Sequence, residues 1–283
     1  LKIIYQISEL KRWLHQFKNE RKTLGFVPTM GALHAGHLEL MNEAGKHCDV
    51  VLASIYVNPT QFNRKDDFEK YPRNIENDIL LLKNTVCSAV FIPSDNEIYP
   101  DNLAQENIDF GYLETVLEGK YRPGHFKGVG MIIKRFFELI QPDKAFFGLK
   151  DFQQVLVIKE VVKKFNFNTE IVALPTIREN SGLAMSSRNA LLNKTEKTLA
   201  LNLYKALLYA KENYHQLSIE EIKNRVYFNF FNAAGIKPEY FEFAEANTLK
   251  LLSAQNESSQ KVIALTAAYV GTTRLIDNME MTT

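Results

Sequence analysis

His34 and His37 stand three residues apart across Gly36, in a stretch that reads P-T-M-G-A-L-H-A-G-H over residues 28–37. Two imidazoles at that spacing can donate hydrogen bonds to charge developing on one phosphate tail. Gly31 and Gly36 let the backbone come close to a bound group, and a helix starting near Leu38 would aim its N–H groups and positive dipole end at the same place. The pattern predicts nucleotidyl transfer. The same rings would also fit a zinc pair or a turn filled by capping side chains. No third Cys, His or acidic ligand follows at a familiar spacing, and two glycines with two histidines exceed what a turn needs.

Three further clusters carry suitable chemistry. Gln61, in N-P-T-Q-F at 58–62, offers an amide that both donates and accepts, which suits a small hydroxy acid as well as a loop hydrogen bond. Lys150 and Asp151, in F-G-L-K-D-F-Q-Q at 147–154, can neutralise phosphate and accept from ribose hydroxyls, with Gln154 one turn into the next helix; a local ion pair with Asp151 as cap is the alternative. Ser186, Ser187 and Arg188 present two hydroxyls and a guanidinium fork that match triphosphate oxygens and the charge of leaving pyrophosphate, although either serine could cap a helix. The segment Y-R-P-G-H-F-K-G-V at 121–129 reads equally as an anion contact or as a helix entry with a solvated basic side chain.

Elements must hold these groups. Apolar, β-branched runs at 24–27, 50–57, 89–92, 145–147 and 171–174 alternate with amphipathic segments at 38–47, 75–84, 129–140 and 152–165. That alternation predicts a Rossmann-like, doubly wound parallel α/β sheet, whose ligands lie at the C-terminal ends of the strands. After Pro175 the pattern changes to helices at 194–213 and 218–234 and strands at 240–244, 262–270 and 273–276, with 254–260 as a hairpin loop. Residues 1–175 are therefore expected to form one domain and 176–283 a smaller α+β C-terminal lid domain.

With 283 residues, 46% of them hydrophobic, the chain can bury full cores. Its 34 Lys and Arg against 33 Asp and Glu argue against an extended nucleic-acid surface. Cys48 and Cys87 show no metal or redox spacing. No apolar run approaches membrane length and the N-terminus lacks a secretion signal, so the expected partners exclude membranes and the cytoplasm is the default compartment.

Together these stretches resemble the pantothenate synthetase (pantoate–β-alanine ligase) family, relatives of the class I aminoacyl-tRNA synthetases and cytidylyltransferases. The likeness rests also on Y-P-R at 71–73, G-L-A-M-S-S-R-N at 182–189 and T-R-L-I-D-N at 273–278, and it spans the chain. It implies an ATP-dependent ligase that activates (R)-pantoate as pantoyl adenylate and passes it to β-alanine. Met30, Gly31, Ala32, Leu33, His34, Ala35, Gly36, His37, Gly148, Leu149, Lys150, Asp151, Ile177, Met185, Ser186, Ser187 and Arg188 would then surround ATP. His37 would be the proton donor, with His34, Lys150 and Arg188 as the other catalytic groups, while Gln61 and Gln154 would hold pantoate and Gln61 would help position β-alanine.

The resemblance further implies a homodimer and Mg²⁺ held by ATP oxygens and waters, with Asp78 as an outer-shell partner and no protein metal site. Three positions depart from the family pattern. Ala35 and Leu149 stand where Glu is frequent, which makes Leu149 a backbone contributor, and Ser181 replaces an Asp before Gly182. Two rival readings are a nucleotidylyltransferase, against which the amides of Gln61 and Gln154 argue, and a nucleotide sensor or tRNA-binding fragment, against which the near-zero net charge argues.

Overall fold

The computed structural model describes residues 1–100, 107–258 and 260–281. Its contacts divide the chain into two units, one of Leu1–Leu149 with Gln154–Pro175 and one of Lys150–Gln153 with Thr176–Thr283.

The first unit opens with β1 (Lys2–Ile4), α1 (Ile7–Asn19), β2 (Leu24–Thr29), α2 (Ala35–His47) and β3 (Val50–Ile55). Short helices α3 (Lys65–Lys70) and α4 (Ile75–Lys83) lead to β4 (Ala89–Phe91), and α5 (Asp95–Ile98), α6 (Leu117–Tyr121) and α7 (His125–Ile140) to β5 (Lys144–Gly148). Helix α8 (Phe152–Lys164) and β6 (Glu170–Leu174) follow. Six parallel strands lie in the order β1-β4-β3-β2-β5-β6. The sheet is flanked by helices, as the alternation predicts. All six residues of β3 are buried, the signature of a strand covered on both faces.

The order reverses beside β2: the chain walks from β2 through β3 to β4 on one side, and later from β5 to β6 on the other. Such a switch point opens a crevice at the C-terminal strand ends. Phe26, Phe91, Phe137 and Phe146 are fully buried in this unit, each contributing about 1.5–3 kcal/mol by burial.

The second unit carries α9 (Lys194–Asn213), α10 (Ile219–Val226), β7 (Lys237–Glu245), β8 (Val262–Val270) and β9 (Thr273–Glu280), with the strands antiparallel in that order. Capping boxes start both helices, Asn193 with Glu196 and Ser218 with Glu221. Leu203, Leu207, Ile222, Phe231, Phe241 and Phe243 share one buried cluster. The helix expected over 218–234 is α10 followed by a π-helical stretch at Tyr227–Asn232, which buries Phe231 and leaves Phe228 73% exposed. The expected loop at 254–260 joins β7 to β8 and contains a 3-10 turn at Gln255–Glu257; Ser259 lies outside the described residues.

Candidate active site

Thr29 ends β2, donating from Oγ1 to the Ser54 carbonyl at 2.7 Å and accepting from Gly31 N–H at 3.2 Å. Gly31 sits at φ +77°, and a Cβ there would meet Asp78 Oδ2 at 2.9 Å. Ala32 is left-handed too, at φ 48°. Such a turn must be held from outside. Asp78, reaching over from α4 and 1% exposed, accepts the Ala32 and Leu33 N–H groups at 2.9 and 2.7 Å. Burial pushes its carboxyl above the usual range, and these two N–H bonds pull it back. Both oxygens thus serve the loop backbone, and Asp78 clasps the turn.

Helix α2 begins at Ala35, three residues before the expected start, because the histidines themselves cap it. His34 is the N-cap, its Nδ1 accepting from Gly36 N–H at 3.2 Å, and His37 Nδ1 accepts from His34 N–H at 3.3 Å. The ring centroids are 4.1 Å apart with planes 36° to one another. An Nδ1 that accepts a backbone N–H leaves the proton of the neutral ring on Nε2. The capping and phosphate readings are therefore compatible, each using a different ring nitrogen.

Gln61 closes a 3-10 turn, Pro59–Gln61, just past β3. Asn58, 1% exposed, fixes its amide. The Asn58 Oδ1 accepts from Thr60 Oγ1 at 2.9 Å and Tyr99 OH at 3.0 Å, so its Nδ2 must donate, to Gln61 Oε1 at 3.3 Å and to the Gly128 carbonyl at 3.1 Å. Gln61 Nε2 then faces the loop, 2.7 Å from Met30 Sδ. Phosphate-type donors and a neutral amide are in this way gathered in one unit.

Gly148 and Leu149 also belong to the first unit, as does Gln154, half-buried in the first turn of α8. A Cβ on Gly148 would meet nothing within 4 Å among the described residues. In the second unit Lys150 lies 3.8 Å from Asp151, the local ion pair weighed from sequence. The Lys150 carbonyl accepts from Asn278 Nδ2 at 2.9 Å. Ser186 caps the 3-10 turn Ser187–Leu191 by accepting Arg188 N–H at 3.2 Å. The Ile177 carbonyl accepts Met185 N–H at 2.9 Å, pinning that loop.

Beneath it Arg178 forks onto Asp277 at 2.6 and 2.9 Å and stacks 4.4 Å from the Tyr204 ring centroid. Tyr204 in turn lies 2.3 Å from where a Cβ on Gly182, φ +96°, would stand. Asn189 Nδ2 donates to Glu179 and to the Ala184 carbonyl, while its buried Oδ1 has no partner among the described residues, at a small pocket lined by Lys150, Ser186 and Asp277.

The Pantoate-beta-alanine ligase family model matches residues 2–280. The chain belongs to this family. It is 46% identical to the pantothenate synthetase of Christiangramia forsetii over 269 residues, 95% of each chain, and 43% identical to that of Cytophaga hutchinsonii over 280 residues, 98% of each. Among solved structures it is similar to pantothenate synthetase from Thermus thermophilus, with a TM-score of 0.93, 36% identity and 100% of both chains covered. It is similar also to pantoate-beta-alanine ligase from Francisella tularensis complexed with beta-gamma ATP and beta-alanine, with a TM-score of 0.84, 36% identity and 100% and 98% of the chains covered.

Within this ligase-family fold, Asp78, Asn58, Tyr99 and the Arg178–Asp277 pair support the predicted residues without having been predicted to do so. Asn58 and Asp277 were signalled only by standing inside N-P-T-Q-F and T-R-L-I-D-N, Asp78 only as an outer-shell partner of magnesium, and Tyr99 and Arg178 by no motif. Residues 121–129, read as an anion contact or a solvated helix entry, include His125, which the fold brings against the Gln61 turn. His125 Nδ1 lies 2.7 Å from the Gln61 carbonyl and Nε2 lies 3.0 Å from Arg122.

Proposed function

We propose that this chain condenses (R)-pantoate with β-alanine to pantothenate through pantoyl adenylate, using ATP and releasing AMP and pyrophosphate. The observation that carries the reading is the meeting, in one unit of a pantoate–β-alanine ligase-family fold, of a clasped loop with two Nε2–H donors and an amide whose orientation is fixed. In the first step a pantoate carboxylate oxygen attacks the α-phosphorus of ATP, and the bond to the bridging oxygen of pyrophosphate breaks, its electron pair leaving with pyrophosphate. In the second, the neutral amine of β-alanine attacks the acyl carbon, the bond to AMP oxygen breaks, and the amine gives up a proton. The carboxylate is already a nucleophile, so alignment and charge stabilisation supply the catalysis.

His34 and His37 donate from Nε2 to the phosphate tail, while Lys150 and Arg188 neutralise charge passing to pyrophosphate. Met30 to His37, Gly148 to Asp151, Ile177 and Met185 to Arg188 contact the nucleotide; Gln61 and Gln154 bind pantoate. Magnesium enters with the nucleotide as MgATP: imidazole N–H and backbone N–H donors suit phosphate oxygens rather than a cation. The reading includes a homodimer working in the cytoplasm, residues 1–175 as its ATP- and pantoate-binding domain and 176–283 as a lid.

Pantoate-dependent exchange of labelled pyrophosphate into ATP, followed by mass detection of pantothenate on adding β-alanine, tests the reaction. Folded protein that exchanges no pyrophosphate in the presence of pantoate overturns it. Exchange that instead requires a phosphorylated acceptor favours the nucleotidylyltransferase reading.

A further inference from the structure

We infer that His125 and Gly128, in the first turn of α7, are positioning residues that set how Gln61 meets pantoate; the inference rests on the ligase reading above. Three observations converge on it. His125 is 5% exposed, with its two ring nitrogens 2.7 Å from the Gln61 carbonyl and 3.0 Å from Arg122 Nη1. A guanidinium has only donors, so Nε2 accepts, the ring is neutral, and its one proton lies on Nδ1 and is donated to Gln61. Arg122 is oriented in turn by Glu118, 3.8 Å away and itself buried.

Gly128 supplies the second observation. A Cβ there would lie 2.3 Å from the Thr60 carbonyl oxygen and 2.6 Å from Gln61 N, so the helix backbone itself presses on the turn. The third is the return bond, from Asn58 Nδ2 to the Gly128 carbonyl at 3.1 Å. A 3-10 turn of three residues has little rigidity of its own. Its carbonyl, backbone and preceding amide are all fixed by one helical turn, and the direction of the Gln61 side chain follows. His125 and Gly128 thus act through Gln61 and need no contact with substrate.

His125→Ala, His125→Asn and Gly128→Ala, compared with wild type in pantoate-dependent exchange, test the assignment. Asn can place an amide N–H where Nδ1–H stood. His125→Ala is expected to raise the KM for pantoate about 10-fold with that for ATP nearly unchanged, the scale of one directing hydrogen bond. His125→Asn restores most of the loss, and Gly128→Ala repeats the pantoate-selective defect. In wild type, nitrogen–proton correlation of the imidazoles should show His125 as the neutral Nδ1–H tautomer near pH 7, a readout that survives even if a variant fails to fold.

An Nε2–H tautomer or an imidazolium overturns the inference, as does an unchanged pantoate KM in His125→Ala, or equal rises in both KM values with no rescue by Asn. Wild type that shows no exchange at all overturns the ligase reading itself, a result distinct from each of these.

Discussion

A ring nitrogen that accepts a backbone N–H cannot also carry a proton, so the cap of α2 decides what His34 and His37 offer a ligand. Their Nδ1 atoms are spent on the helix start, and what they can present to phosphate is Nε2–H. Cap and chemistry are therefore separable at His37. In His37→Asn the side-chain oxygen can still accept from His34 N–H, while the Nε2–H donor is gone. The expected result is a thermal midpoint within about 2 °C of wild type, retained ATP binding, and adenylate formation slowed roughly 10²-fold or more. His37→Ala removes both and should cost about 1 kcal/mol of stability besides. Unchanged single-turnover rates in His37→Asn would refute the donor role.

At the level of elements, the histidine loop is held by a helix that joins it only in space. Asp78 on α4 accepts two N–H groups of a left-handed turn more than forty residues upstream. Asp78→Ala leaves both donors without that acceptor, an expected loss of about 2 kcal/mol or more in urea unfolding. The turn is then free to relax, so the KM for ATP should rise further than that for pantoate; equal kinetics with wild type would contradict the clasp.

Such long-range bonds mark the limit of what the residues declared in advance. The buried runs of β2 and β3 were readable from their β-branched content, and α7 from its apolar stripe. Strand β1, three residues long, carries too little pattern to be seen. The start of α2 was misplaced because Ala35 and Gly36 look like loop and histidine is an uncommon cap. Nothing near His125 in the chain announces Gln61, which is 64 positions away.

Across the whole molecule, the two thiols give a simple readout of folding. Burial pushes Cys48 up to about 11 and Cys87 up to about 12, from an ordinary 9.0. Unfolded thiols therefore ionise first as pH rises. The stability tied to them is complete below pH 9.0 and is lost between there and the folded values. The urea midpoint should stay level to about pH 8.5 and then fall, and dithionitrobenzoate should find no fast thiol until the chain unfolds. A rapidly reacting thiol in native buffer would contradict that burial.

The partner of the Lys150 turn lies 128 positions further along the chain, for Asn278 on β9 donates to the Lys150 carbonyl. During synthesis the first unit's strands and the histidine loop leave the ribosome early and can fold in order. The lysine turn must wait for a strand made more than a hundred residues after it. A nascent chain stalled before β9 would then carry the histidine loop already formed and the lysine turn still without its bond from Asn278.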